Sequence, residues 1–277
     1  MSSDVITSRT NAQVKQLRAA FQGHTRLSGG LIAIEGDHLL EEALRSGMVL
    51  KTVFVSERRE TPEVVPRGVE VLRLTEEVFE SVVETRSPQG VAALLVPPVS
   101  ALDDAMGRET APLILIAVGL QDPGNLGTLV RSAEAFGATG MLTTPGTVSA
   151  WNQKALRASV GSVFRVPVVA VDASEIEMLK RRGVRLIASV GSDGVGVTAA
   201  QEMDFTWACA LMIGNEGSGL GTEWLAMSNA RVTIPCPGAV ESLNAAVAGS
   251  LLLYEASRQR AKAGTKAKYR GPSLRSG

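Results

Sequence analysis

Apolar residues along this chain fall into short unbroken runs, separated by stretches where they recur every three or four positions. The runs Leu-Ile-Leu-Ile-Ala-Val (113–118) and Ala-Cys-Ala-Leu-Met-Ile (208–213) read as strands buried on both faces. Leu39, Leu40, Ala43 and Leu44 instead share one face at helical spacing. The first third predicts helix 11–21, strand 31–34, helix 37–45, strands 52–55 and 69–74, helix 76–83 and strand 91–96. Pro97-Pro98 then opens a polar stretch to Pro112, containing Asp103, Asp104, Arg108 and Glu109, which reads as a linker. From Leu113 the pattern restarts with a strand, helix 126–136, strand 140–143, helix 151–160, strand 165–169 and helix 173–182. Strands 185–190 and 208–213, a short helix near 223–227, strand 231–234 and a long helix from Ser242 complete it. Such alternation predicts an α/β fold with a doubly wound parallel sheet. No internal repeat is visible.

Composition adds bounds. A chain of 277 residues, 45% hydrophobic and 20% charged, is globular and long enough for one large domain or two ordinary ones. A formal net charge of +0 gives no overall reason to expect nucleic acid. The distribution is less even: Arg258, Arg260, Lys262, Lys266, Lys268, Arg270 and Arg275 follow Glu255 with no acid after it. That tail reads either as a solvated end or as an arm that touches phosphates. Cys209 and Cys236 form no CxxC pair, and Cys209 reads as a small core residue. His24 and His38 lack ligand-spaced partners, so no metal is expected. Without a leader-like N-terminus or a membrane-length apolar run, the expected location is a reducing cytoplasm, away from membranes.

Chemistry concentrates in three segments. In Gly214-Asn215-Glu216-Gly217-Ser218-Gly219-Leu220, glycines follow a strand, where the backbone can approach a ligand closely. Glu216 there either orients a hydroxyl or a cation, or is a solvated acid in a tight turn. A dinucleotide fingerprint is rejected, because the loop comes late and the next strand ends in Pro235. No phosphate-binding P-loop is present. In the second segment Ser242, Leu243 and Asn244 stand at a helix start, with Ser242 an N-cap or a ligand contact. The small residues 245–249 that follow allow that helix to pack closely against another. Upstream, Asn125 and Arg131 are either a cap and a surface charge, or groups that hold a phosphate near a strand end.

Together these segments resemble the signature motifs of the SpoU (TrmH-like) branch of the SPOUT RNA methyltransferases. The first is Asn125-x-Gly127-x3-Arg131-x4-Phe136-Gly137 and the second Gly214-x-Glu216-x2-Gly219. The third is Ile234-Pro235 followed by Ser242-Leu243-Asn244. Lys154-x2-Arg157-Ala158-Ser159-x-Gly161 and Val166-Pro167 also look like family sequence. Ser8-x2-Asn11-x2-Val14-Lys15, Glu35-Gly36 and Ser87-Pro88-Gln89-Gly90-Val91 are similar to the small RNA-binding domain that often precedes the catalytic one.

The resemblance implies an RNA substrate-binding α/β domain at 1–98, a linker at 99–111, a SPOUT methyltransferase domain at 112–261 and a basic tail at 262–277. It implies a parallel sheet with a C-terminal deep trefoil knot, and a homodimer whose active site forms across the interface. The cofactor would be S-adenosylmethionine, held at Gly214, Ile234 and Leu243, and the reaction methylation of a ribose 2′-hydroxyl. Arg131 would activate that hydroxyl, with Asn125, Glu216, Ser242 and Asn244 positioning Arg131, the ribose and the cofactor. The leading substrate is 23S ribosomal RNA. Transfer RNA, an antibiotic-resistance role on the same ribosomal RNA, and a non-catalytic RNA-binding or ribosome-assembly protein of the same fold stand as alternatives.

Overall fold

The structure, a computed structural model, describes residues 5–24, 29–85, 87–107, 110–191, 196–240 and 242–263. Arg108, Glu109 and most of the basic tail (264–277) lie outside the described residues. The chain divides into two compact units, Met1–Val99 with Trp151–Phe164, and Ser100–Ala150 with Arg165–Gly277.

In the first unit, helix α1 (Ala12–Phe21) starts where Asn11 Oδ1 accepts from the Gln13 amide at 2.9 Å. Strand β1 (Ile32–Glu35), helix α2 (Asp37–Arg45), β2 (Leu50–Ser56), β3 (Glu70–Leu74), α3 (Glu76–Glu80) and β4 (Val91–Leu95) follow. The sheet order is β1-β4-β2-β3, with β4 antiparallel to both neighbours and β2 parallel to β3. Leu17 and Phe21 from α1, Phe54, Leu74, Phe79 and Leu94 close its core.

The second unit begins inside the stretch read as a linker. Leu102–Ala105 forms helix α4, with Asp104 accepting from the Ala101 amide at 2.8 Å, and Ala105, Met106 and Ala111 are buried. Gly140 makes this approach possible, because a Cβ there would lie 2.6 Å from the Ala105 Cα. Strand β5 (Leu113–Ala117) leads to α5 (Pro123–Ala135). This helix starts earlier than its apolar period suggests, because Asp122 Oδ1 accepts from the Asn125 amide at 2.7 Å and Pro123 takes the first helical position. The cap is therefore Asp122, and Asn125 lies within the first turn.

After β6 (Gly140–Thr143) the chain crosses to the first unit as α6 (Gln153–Ser159) and a short turn, then returns. There follow β7 (Val168–Ala170), α7 (Ala173–Arg181), β8 (Arg185–Ser189), β9 (Val197–Ala199), β10 (Cys209–Ile213), α8 (Thr222–Met227), β11 (Ala230–Thr233) and α9 (Ala245–Lys262). The sheet order is β7-β6-β5-β10-β8-β11-β9, every pair parallel. Strand β9 was not expected: three residues are too short to show a period.

The last helix starts at Ala245, not Ser242. Its cap is Asn244, whose Oδ1 accepts from the amides of Ala246 at 2.9 Å and Val247 at 3.2 Å, so Ser242 is free of that role. Ala245, Ala246 and Gly249 face inward, and a Cβ on Gly249 would strike Leu129 of α5. Ser132 and Ser250 hydroxyls meet at 2.7 Å, and Phe136 and Tyr254 rings pack edge to face at 5.7 Å. The small-residue face thus packs on α5 within the chain. At the far end of α9, the buried Arg260 donates to the carbonyls of Ala111, Pro112, Phe205 and Trp207 at 2.6 to 2.9 Å. Among the described residues no helix is long and apolar enough to cross a membrane.

Candidate functional site

Parallel sheets collect their loops at the C-terminal strand ends, where ligands of open α/β folds bind. Here a cavity of about 340 Å3 opens beyond β8, β10 and β11. Its walls include Ser189–Gly191, the 213–219 loop, Thr233, Ile234, Cys236, Ser242 and Leu243. Gly214, Glu216, Ile234, Ser242 and Leu243 are therefore brought to one cavity from two loops.

The first of these loops is shaped by its backbone. A Cβ on Gly214 would lie 2.5 Å from the Leu220 amide nitrogen, so only glycine fits where the loop folds back. Asn215 and Gly219 exchange backbone hydrogen bonds at 3.1 and 2.9 Å, and Gly219 takes φ +65°. The Asn215 side chain completes the turn. Its Oδ1 accepts from the Gly217 and Ser218 amides at 2.9 and 3.3 Å, while its Nδ2 donates to the Gly119 carbonyl at 2.9 Å. Sequence reasoning passed over Asn215, although asparagine ahead of a glycine pair is a turn signal.

Beside the cavity, three motif side chains form a chain. Asn125 Nδ2 donates to Glu216 Oε1 at 2.8 Å, and Asn244 Nδ2 donates to Asn125 Oδ1 at 3.1 Å. Their orientations follow from each other. An ionised carboxylate only accepts, so Asn125 must turn its NH2 to Glu216 and its carbonyl to Asn244. Asn244 then keeps its own carbonyl for the two amides at the start of α9. One hydrogen-bonded path thus joins α5, the β10 loop and the cap of α9.

Arg131 is not on that path. It is exposed, makes no side-chain hydrogen bond or ion pair with the described residues, and does not line the cavity. Six residues along α5 place it about 120° around the helix from Asn125, and within the chain the Glu216 carboxylate meets Asn125.

One residue of the cavity wall carries an unsatisfied group. Among the described residues, Thr233 Oγ1 is the buried side-chain oxygen with no hydrogen-bond partner. Such a group costs about 1–3 kcal/mol when left unpaired, which suits a ligand polar atom in place beside it. Val190, Ile213, Ile234, Leu243, Ala245 and Ala248 supply apolar walls. The set suits a flat, polar-edged ligand with an aliphatic arm. Nothing in the sequence singled out Thr233 or Ser189–Gly191. Among the described residues, no group of three or more His, Cys, Asp or Glu side chains is placed to hold a metal.

Comparison with known proteins accords with this geometry. The family model "SpoU rRNA Methylase family" matches residues 112–254, and an "MRM3-like substrate binding domain" model matches residues 11–93. The 23S rRNA (guanosine(2553)-2′-O)-methyltransferase RlmP of Bacillus subtilis (strain 168) is 35% identical, over 90% of this chain and 97% of its own. The 23S rRNA (uridine(2479)-2′-O)-methyltransferase of Streptomyces viridochromogenes is 31% identical, over 92% of each chain. The crystal structure of the SpoU methyltransferase AviRb from Streptomyces viridochromogenes, in complex with AdoMet, superposes with a TM-score of 0.80 at 29% identity. It covers 91% of this chain and 98% of that one. The three motif segments, the parallel sheet and these matches agree: the chain belongs to the SpoU rRNA methylase family.

Proposed function

We propose that this protein transfers a methyl group from S-adenosylmethionine to a ribose 2′-hydroxyl of 23S ribosomal RNA, acting in the cytoplasm as a homodimer. The observation that carries this reading is the cavity that joins both motif loops, with its unpaired Thr233 hydroxyl, directly beside the Asn125–Glu216–Asn244 path. The Gly214 loop, Ile234 and Leu243 would hold the cofactor, whose sulfonium supplies an electrophilic methyl group. The relatives named for 23S rRNA align over at least nine-tenths of this chain, which favours ribosomal over transfer RNA. The return of α9 from β11 across to α5 and β10 is read as the closing segment of the family's trefoil knot.

A ribose hydroxyl is a weak nucleophile, so alignment with the methyl group and help with its proton are what the protein must provide. Glu216, Asn125 and Asn244 hold the wall beside which the ribose would lie, and Ser242, released from capping, faces the same cavity. A guanidinium is a poor proton acceptor, so the role read for Arg131 is to hold and polarise the hydroxyl and its phosphate. Its absence from the wall of its own cavity fits a site completed by a second copy. Val247, Leu251 and Tyr254, 47%, 43% and 53% exposed, form an apolar stripe along α9 at helical spacing. In this reading the stripe is the dimer contact that delivers Arg131.

The test is incubation with labelled S-adenosylmethionine and separated ribosomal and transfer RNAs, followed by mapping of 2′-O-methyl groups. Labelled 23S rRNA is the expected result. Cofactor binding with no transfer to any RNA would leave the non-catalytic reading, and label confined to transfer RNA would replace the substrate.

A further inference from the structure

Within the first unit lies a second cavity, of about 170 Å3, whose lining includes Glu35, His38, Thr85, Gln89, Gln153 and Arg157. Its construction is deliberate. Glu35, at the end of β1, is a buried carboxylate. The Thr85 hydroxyl lies 2.8 Å from both of its oxygens, and the Gln89 backbone N–H donates to Oε1 at 3.1 Å. Gly36, at φ +96°, leaves room for the Gln89 side chain: a Cβ there would lie 2.8 Å from the Gln89 Cδ. From far along the chain α6 brings Gln153, whose Nε2 donates to the Ala33 carbonyl at 2.8 Å, and Arg157. His38 and Arg157 are exposed and make no side-chain hydrogen bond or ion pair with the described residues.

We propose that this cavity takes one unstacked nucleobase of the RNA substrate and selects for a base bearing an exocyclic amine. The inference deepens the RNA-methyltransferase reading and rests on it for the class of ligand. A carboxylate has about four lone-pair positions. Thr85 spans the two oxygens and Gln89 uses a third position on Oε1, which leaves Oε2 able to accept one further donor. A buried acceptor of this kind rewards an amine and rejects a carbonyl oxygen at the same place. The volume is below the range of ordinary small-molecule sites and suits a single ring. Arg157 and His38, at the rim, are the donors that meet the phosphate next to a splayed base, which is how sequence-specific RNA recognition usually proceeds.

Cytosine and uracil differ in shape little beyond amine against carbonyl, so they are the decisive probes. Equilibrium binding of labelled oligocytidylate and oligouridylate to the full chain, without cofactor, is expected to favour cytidine by roughly tenfold. Glu35→Gln should remove that preference, while Arg157→Ala should weaken both oligomers alike and flatten their salt dependence. Equal wild-type affinities, or a preference that survives Glu35→Gln, would overturn the proposal. A purely structural Glu35 would lower thermal stability and leave the preference unchanged. If Glu35→Gln does not fold, photo-crosslinking of 5-iodocytidine oligomers to the wild-type chain decides instead. Crosslinks at residues 35–39 or 153–160 support the pocket, and crosslinks only elsewhere refute it. Methyl transfer to 23S rRNA by the wild-type chain separates the two readings: no transfer with a cytidine preference refutes the function alone, and transfer with no cytidine preference refutes the pocket alone.

Discussion

Asn125 gives its amide protons to Glu216 at 2.8 Å across 91 residues of sequence, and this contact locks the first signature motif to the second. Because Asn125 must then offer its carbonyl to Asn244, all three motifs share one orientation-specific path.

Asn125→Asp should disrupt that path more than Asn125→Ala. The aspartate puts a second carboxylate against Glu216, and like charges at hydrogen-bond distance repel. Single-turnover methyl transfer is expected to fall by roughly a hundredfold for the aspartate, the scale on which small misplacements act. The alanine variant should lose less, and cofactor affinity, measured by calorimetry, should change little in either.

Arg131→Ala should abolish transfer and leave cofactor binding intact, because Arg131 lies outside the cavity wall. If it serves the neighbouring copy, two inactive variants should complement. Mixing unfolded Arg131→Ala and Asn125→Asp chains and refolding them should restore about a quarter of wild-type activity, carried by mixed dimers with one intact site. No recovery in verified mixed dimers would mean that Arg131 acts within its own chain.

Gly214→Ala should expel the cofactor. Its Cβ meets the backbone of Gly219 and Leu220, which no rotamer change can relieve. A shift of the loop of this kind costs about 1–3 kcal/mol. A loss of at least roughly tenfold in cofactor affinity, with the rest of the fold retained by circular dichroism, is the expected measurement.

Arg260→Ala should destabilise the second unit by about 3 kcal/mol, because it strands several buried carbonyls at once. Arg260→Lys should recover little, since one ammonium cannot reproduce the planar fork. Thermal unfolding of both variants provides the check.

The two cysteines should behave differently. Burial, opposed by the nearby Arg260, pushes the Cys209 thiol above its usual range. A raised folded pKa means that this group's contribution is complete below the unfolded thiol pKa, about 8.5. It is lost as pH rises through the folded value. Cys209→Ala should therefore soften the fall in stability above that pH in chemical denaturation. Cys236, half-buried on the cavity wall, should react with a thiol reagent in the native state, and S-adenosylmethionine should slow it.

Much of this protein was legible as sequence. Continuous apolar runs such as 113–118 marked the central strands, and the spacing of Asn125, Arg131, Gly214, Glu216, Ile234, Ser242, Leu243 and Asn244 carried the family, because strand order and motif order are local properties of the chain. What needed tertiary structure was every choice between equivalent local roles. Whether Ser242 or Asn244 caps α9 depends on where the backbone turns, and Asn244 takes the cap while its side-chain NH2 reaches Asn125. That Arg131 stays off the wall of its own cavity depends on how α5 is held against α9. The packing of α6 with β1, 120 residues apart at Gln153 and Ala33, has no periodic signature at all. Local pattern determines which faces must be buried; only the folded chain decides which partners bury them, because those contacts join residues that sequence spacing leaves independent.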